Sequence, residues 1–206
     1  MRFAKGVLNK LLLNYMDKDP LQPGCYYHIY NRGNNKENIF KQPGNYNYFL
    51  MLWKKHIQPV ALSFCYSLQP NHFHFLVFTK ENSSAIEISK AFSNCFNAYA
   101  KSINKAYNRT GSLFQERFGR KLITDHKYFL EIIYYIHSNI QKHGLHDDFT
   151  TYPYSSYLSF ISDKPTLLQR DEVLEWFGGR KEFINFHESN KELMIQYLKE
   201  LSKLNL

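Results

Sequence analysis

The stretch Ala61 to Phe78, ALSFCYSLQPNHFHFLVF, reads as two apolar strands folded back on each other around the short turn Gln69-Pro70-Asn71. That hairpin is the fixed point around which the other segments have to be arranged. In its first strand Leu62, Phe64, Tyr66 and Leu68 alternate and should share a face. In its second, Phe73, Phe75 and Val77 point one way while His72 and His74 point the other. Two imidazoles on one face can bind a metal, but two neutral nitrogens give modest affinity and leave most of the coordination sphere open. An HxH pair on its own is more often a pair of satisfied or surface histidines.

The segments on either side supply a strand and three helices. CYYHIYN (25–31) is predicted as a strand, with RGNN (32–35) as its turn. Tyr46, Phe49, Leu50, Trp53 and Ile57 recur at helical spacing over 44–57. Ser84 and Glu87 form a capping box that opens a second helix, whose apolar face carries Ile88, Phe92, Phe96, Tyr99 and Ile103. A basic, glycine-containing loop over 105–123, with a short strand within it, leads to a third helix that begins at Asp125 and stops before Gly144. The order β-α-β-β-α-β-α predicts an α+β protein, a ferredoxin-like α/β sandwich with an antiparallel sheet and helices on one face. Residues 1–23 are read as a short N-terminal helical segment, 24–160 as the main domain and 161–206 as a C-terminal helical appendage.

Charge narrows the function. Lys and Arg exceed Asp and Glu by 8, and the pI is about 9.2, so a polyanionic partner is expected. Cys25, Cys65 and Cys95 are odd in number and form no CxxC pair, which argues against a disulfide framework and for a reducing cytoplasm. Asn9 and Lys10 interrupt the N-terminal apolar run, no small-residue cleavage site follows, and no apolar run is long enough to span a membrane.

The third helix offers the hairpin histidines a partner. Phe129, Ile132, Ile133, Ile136 and Ile140 mark its core face at about 100° per residue. Tyr128, Tyr135 and Asn139 form a stripe along the edge of that face, whereas Tyr134 and His137 are expected to face solvent. An amide oxygen from Asn139 would complete a His-His-Asn metal site with Tyr135 one turn away. A divalent ion there could polarise a phosphodiester while the tyrosine oxygen attacks phosphorus. With a phenol pKa of about 10, such a nucleophile needs positive charge nearby.

PNHFHFLV resembles the histidine-hydrophobe-histidine signature of HUH nucleases, in particular the single-tyrosine transposases and the REP-associated tyrosine transposases. YHIYNRGNNKENIF (27–40), GSLFQERF (111–118), YYIHSN (134–139) with the following His143-Gly144, and YPYSSY (152–157) are similar to further landmarks of that family and stand in the expected order. The resemblance covers roughly residues 24–160. It implies the HUH nuclease fold, His72, His74 and Asn139 as metal ligands, and Tyr135 as the nucleophile. The implied reaction cleaves single-stranded DNA beside a hairpin of a palindromic repeat, leaving a 5′-phosphotyrosine link and a free 3′-OH. Mg²⁺ or Mn²⁺ is the implied cofactor, and a homodimer that exchanges tyrosine helices is one implied arrangement, a monomer another. Relatives usually carry proline directly after the asparagine; here Ile140 lets the helix continue.

Arg32, Arg109, Phe114, Arg117, Arg120 and Lys121 are the candidate DNA contacts, the cations tracking phosphates and Phe114 or Phe118 stacking a base. His28 is read as packing beside Tyr26 and Tyr30, and His143 as interacting with the helix C-terminus. A histidine-triad hydrolase is disfavoured by Leu76 at the third alternating position, and a zinc deaminase by the cysteine spacing. The competing reading is a DNA-binding regulator that keeps the fold without cleavage.

Overall fold

The computed structural model describes residues 20–125 and 127–203, with side chains to residue 193 apart from that of Lys127, so the N-terminal helical segment expected over 1–23 lies almost wholly outside the described residues, as does His126. Strands β1 (Tyr26–Arg32), β2 (Ala61–Gln69), β3 (His72–Thr79) and β4 (Gly119–Ile123) form one antiparallel sheet in the order β2-β3-β1-β4. Helices α1 (Pro43–His56), α2 (Ala85–Ala106) and α3 (Lys127–Lys142) complete the expected α+β sandwich. The Ser84 and Glu87 capping box is formed at the start of α2.

The helices divide between the two faces of the sheet. Phe49 and Trp53 of α1, with Ile88, Phe92, Phe96 and Tyr99 of α2, pack on Tyr27, Ile29, Phe73, Phe75 and Val77. On the opposite face α3 sets Phe129, Ile132, Ile133, Ile136 and Ile140 against Phe64, Cys65 and Leu76. The one-face expectation thus holds for α1 and α2, while α3 stands across the histidine face.

A β-bulge also breaks the simple alternation expected of β2. Ser63 pairs with Val77 but Cys65 pairs with Leu76, which leaves Phe64 as the extra residue. Leu62 and Phe64 therefore face α3, whereas Tyr66 and Leu68 turn toward α1 and α2. The same shift turns Ser67 and Gln69 onto the face of His74 and His72, their cross-strand partners.

The outer edge of β2 is closed by the return of the chain. Leu68 donates its N–H to Tyr154 O, Ser156 to Tyr66 O, and Gln169 to Ser63 O. Beyond a helical turn at Tyr157–Phe160, α4 (Arg170–Phe177) ends at Gly178 in the left-handed conformation, φ 86°, and α5 (Arg180–Lys203) runs back over α3. Phe160, Val173 and Phe183 from this C-terminal part join the core beneath α3. Among the described residues no helix is long and apolar enough to cross a membrane.

Covering α3 from behind changes two residues that a helical wheel leaves in water. His137 is fully buried: Ser156 Oγ lies 2.8 Å from its Nε2 and His187 Nε2 lies 3.0 Å from its Nδ1. Phe183 O, which can only accept, lies 2.8 Å from His187 Nδ1, so the chain of donors runs Ser156 to His137 to His187 to Phe183. Tyr134 packs against Phe149, Phe186 and His187, and burial raises its phenol pKa. Both were expected to face solvent; α5 and the 149–157 segment supply the cover.

Candidate active site

Cross-strand register builds the floor of the site. Arg32 and Gln69 flank His72 on its two sides, and Tyr30 and Ser67 flank His74 in the same way. His28 stands one pair further along β1, opposite Leu76, and Lys121 of β4 lies opposite His28. Gly119 of β4 leaves room for the Tyr30 ring, since a Cβ there would come within 2.1 Å of it. Tyr30 in turn lies 5.0 Å from His28 and 5.9 Å from His74, centroid to centroid.

Helix α3 brings the roof. Asn139 Oδ1 lies 3.0 Å from His72 Nε2 and accepts a hydrogen bond of 2.6 Å from Gln69 Nε2. On its other side His72 Nδ1 is 2.6 Å from Asn71 Oδ1, and Asn71 Nδ2 donates to Lys36 O. Both carboxamide oxygens only accept, so the neutral ring donates either from Nδ1 to Asn71 or from Nε2 to Asn139, and the first tautomer leaves Nε2 a lone pair. Burial lowers the His72 pKa to about 4, against a raising contribution from the Asn139 contact, with His143 and Arg32 lowering it further. The ring is neutral near pH 7, and with its proton on Nδ1 its Nε2 lone pair faces Asn139 Oδ1 across 3.0 Å, which is the tautomer in which both atoms could bind one cation.

His74 is prepared in the same way. Its Nδ1 is 2.9 Å from His28 Nε2. Burial lowers both pKa values, that of His28 to about 3 with help from Lys121, and that of His74 well below normal with help from the charges of His28, His72, His143 and Lys142. Two neutral rings share one proton in such a contact, and donation from His74 Nδ1 leaves His74 Nε2 as a ligand. His28, read from sequence as packing, is thus the partner that orients His74. Among the described residues no group of three or more His, Cys, Asp and Glu side chains is arranged to hold a metal, so an ion here depends on the amide oxygen of Asn139. Two imidazole nitrogens and one amide oxygen are donor types that could hold a divalent ion.

Tyr135 stands at this cluster, its ring edge-on to His74 at 5.6 Å and to His28 at 5.9 Å. Lys142, two turns along α3, holds Nζ 5.6 Å from the Tyr135 ring centroid, and burial lowers the lysine pKa. This places a cation beside the phenol ring. His143 also comes to the site, 5.4 Å from the His72 ring, where burial and then Lys142 and Arg32 lower its pKa.

The candidate DNA contacts separate into two groups. Arg32 and Lys121 lie on the histidine face by register. Arg120, paired with Ile29, faces α2 and stands over Phe118 at 5.3 Å; Arg117 is exposed in the preceding loop. Arg109 is bound to Glu37 at 2.6 Å and to Asn104 at 2.7 Å. Phe114 is buried against Phe73, Phe96 and Tyr99, so its ring serves the core and no base can stack on it there.

Comparison with known proteins bears on the fold. No family model matches the sequence, and no curated protein matches it. Among solved structures, a REP-associated tyrosine transposase bound to a REP hairpin superposes with a TM-score of 0.60 over 74% of this chain and 89% of that one, at 15% identity. A bacterial tRNA(His) guanylyltransferase-like protein in complex with GTP gives a TM-score of 0.42 over 69% and 74% at 10% identity, too distant to inform the fold. The first likeness establishes a shared fold: an antiparallel sheet of four strands with helices, as in the transposase.

Proposed function

We propose that this chain is a metal-dependent single-stranded DNA nuclease and strand transferase of the single-tyrosine HUH type, acting at hairpin-associated sites. The observation that carries the reading is convergence: His72 and His74 from β3 and Tyr135 and Asn139 from α3 meet at one point, with Asn139 Oδ1 3.0 Å from His72 Nε2 and the Tyr135 ring 5.6 Å from His74. The fold shared with a hairpin-bound transposase supports it. His72, His74 and Asn139 would hold a divalent ion, which supplies Lewis-acid polarisation of the phosphodiester and charge stabilisation. Tyr135 Oη gives up its proton and bonds to phosphorus; the bond from phosphorus to O3′ breaks, and O3′ takes up a proton. Lys142 stabilises the phenolate as it forms, and Arg32 and Lys121 receive flanking phosphates. The phosphotyrosine link conserves the phosphodiester's energy, so attack by a 3′-OH rejoins the strand without ATP.

Incubation with hairpin oligonucleotides and Mn²⁺, followed by a denaturing gel, tests this. A covalent protein–DNA adduct is expected from the wild type and from Tyr134→Phe, and none from Tyr135→Phe or after EDTA. An adduct that survives Tyr135→Phe would show the nucleophile to be wrong. DNA binding without an adduct from any hairpin would favour the regulator.

A further inference from the structure

Among the described residues the charged groups that act on the candidate metal ligands are all of one sign. Lys121 acts on His28, Arg32 on His72 and His143, and Lys142 on His74 and His143; no carboxylate is among them. Geometry gives the same result. Arg32 is the cross-strand neighbour of His72, Lys121 that of His28, and Lys142 stands over Tyr135. Among the described residues none of these three cations forms an ion pair, and Arg32 Nε is buried without a hydrogen-bond partner. The expected ligands, two imidazoles and an amide, bring no negative charge. A divalent cation entering alone would add two charges to a pocket that already holds three fixed ones.

We propose that the divalent ion and a strand of single-stranded DNA occupy this site only together, the phosphodiester supplying both an oxygen ligand and the negative charge that the protein's own donor set lacks. The inference rests on the metal-and-tyrosine reading above and adds its charge balance. An ion bound without DNA would be short-lived, so the tyrosine meets a polarising ion only when a strand is present. Arg32 and Lys142 weaken the free ion and favour the phosphate, so the same two residues impose the coupling from both sides. Because coupling between two ligands is reciprocal, Mn²⁺ should tighten the DNA by the factor by which DNA tightens Mn²⁺.

Full-length Tyr135→Phe protein, which forms no adduct, is titrated with Mn²⁺ by calorimetry at fixed ionic strength, alone and saturated with a short oligothymidylate. Binding about tenfold tighter or more is expected with the oligonucleotide, matched by an equal gain in DNA affinity when Mn²⁺ is present. In Lys142→Met the free protein should bind Mn²⁺ more tightly and the coupling factor should shrink. Equal Mn²⁺ affinity with and without DNA would overturn the coupling while leaving the metal site intact. Absence of Mn²⁺ binding in both forms would overturn the metal-site reading as well. An equal effect from inorganic phosphate would overturn the assignment to a nucleic-acid strand.

Discussion

Gln69→Leu is the change that most directly tests how Asn139 is held. Gln69 Nε2 donates to Asn139 Oδ1 at 2.6 Å, while Asn139 Nδ2 is buried without a partner. The Gln69 donor is therefore what keeps the oxygen of Asn139 turned toward His72. Removing it takes away a hydrogen bond of about 1 kcal/mol and frees the amide to turn over. In the turned orientation Nδ2–H would donate to His72 Nε2, a gain of about 1 kcal/mol. With the Gln69 bond gone from both orientations, that preference of about 1 kcal/mol leaves the oxygen-inward orientation roughly 15% populated, so the apparent affinity for a divalent ion should fall about sixfold. Leucine replaces a fully buried side chain whose own Oε1 has no partner, so stability should change by about 1 kcal/mol or less. The assay is Mn²⁺ titration of the oligothymidylate complex in the Tyr135→Phe background, with thermal unfolding as a control and Asn139→Leu as the reference for a lost ligand. If Gln69→Leu kept wild-type Mn²⁺ affinity while Asn139→Leu lost it, Gln69 would not orient the ligand and the reasoning would fail.

Two other perturbations follow from the same face and its cover. Gly119→Ala puts a methyl group within 2.1 Å of the Tyr30 ring, so it should destabilise the fold by about 1–3 kcal/mol in urea unfolding; in a Tyr30→Ala background the cost should vanish, and a persistent cost would place the clash elsewhere. Acid should unfold the protein early: burial lowers the pKa of His28 and of His187 to about 3, while the unfolded chain protonates each near pH 6.5. Their contribution is complete above pH 6.5 and is lost as the pH falls toward 3, about 2 kcal/mol for each by pH 5, and a stability flat between pH 7 and 5 would contradict it.

Regular patterning is what made the fold and the central residues legible. The hairpin, the capping box at Ser84 and Glu87, and the three helices follow from local chemistry, and α3 has the phase that a wheel assigns to Tyr135 and Asn139. The rest was hidden where long-range structure overrides a local period. Nothing in ALSFCYSL marks Phe64 as a bulge, and without it Gln69 would point at α1 and α2. His28 and Lys142 become site residues only through strand register and helix placement, which sequence spacing does not set. Tyr134 and His137 depart from a wheel's phase because a wheel knows one covered side, and α5 with the 149–157 segment covers a second. Phe114 has the company expected of a base-stacking residue, basic neighbours in a glycine-containing loop, yet the Gly33–Phe114 bridge holds it against the core.

The distribution of unsatisfied polar atoms argues that the histidine face is kept for a ligand. Among the described residues six buried side-chain nitrogen or oxygen atoms lack a hydrogen-bond partner, and four of them belong to Arg32, Ser67, Gln69 and Asn139. Arg32 and Gln69 pair with His72, Ser67 pairs with His74, and Asn139 touches His72, so all four border the two imidazoles. Each such atom costs on the order of 1–3 kcal/mol relative to a satisfied one. The opposite face of the same sheet, packed with Phe, Tyr and Trp rings beneath α1 and α2, stabilises the fold against that cost. A structural histidine pair would have its neighbours satisfied, as His137 and His187 do within their closed chain of donors. The contrast between these two buried pairs is in their surroundings: His137 and His187 complete a chain of hydrogen bonds within the protein, whereas His72 and His74 are bordered by four buried polar side chains that each keep an atom unpaired.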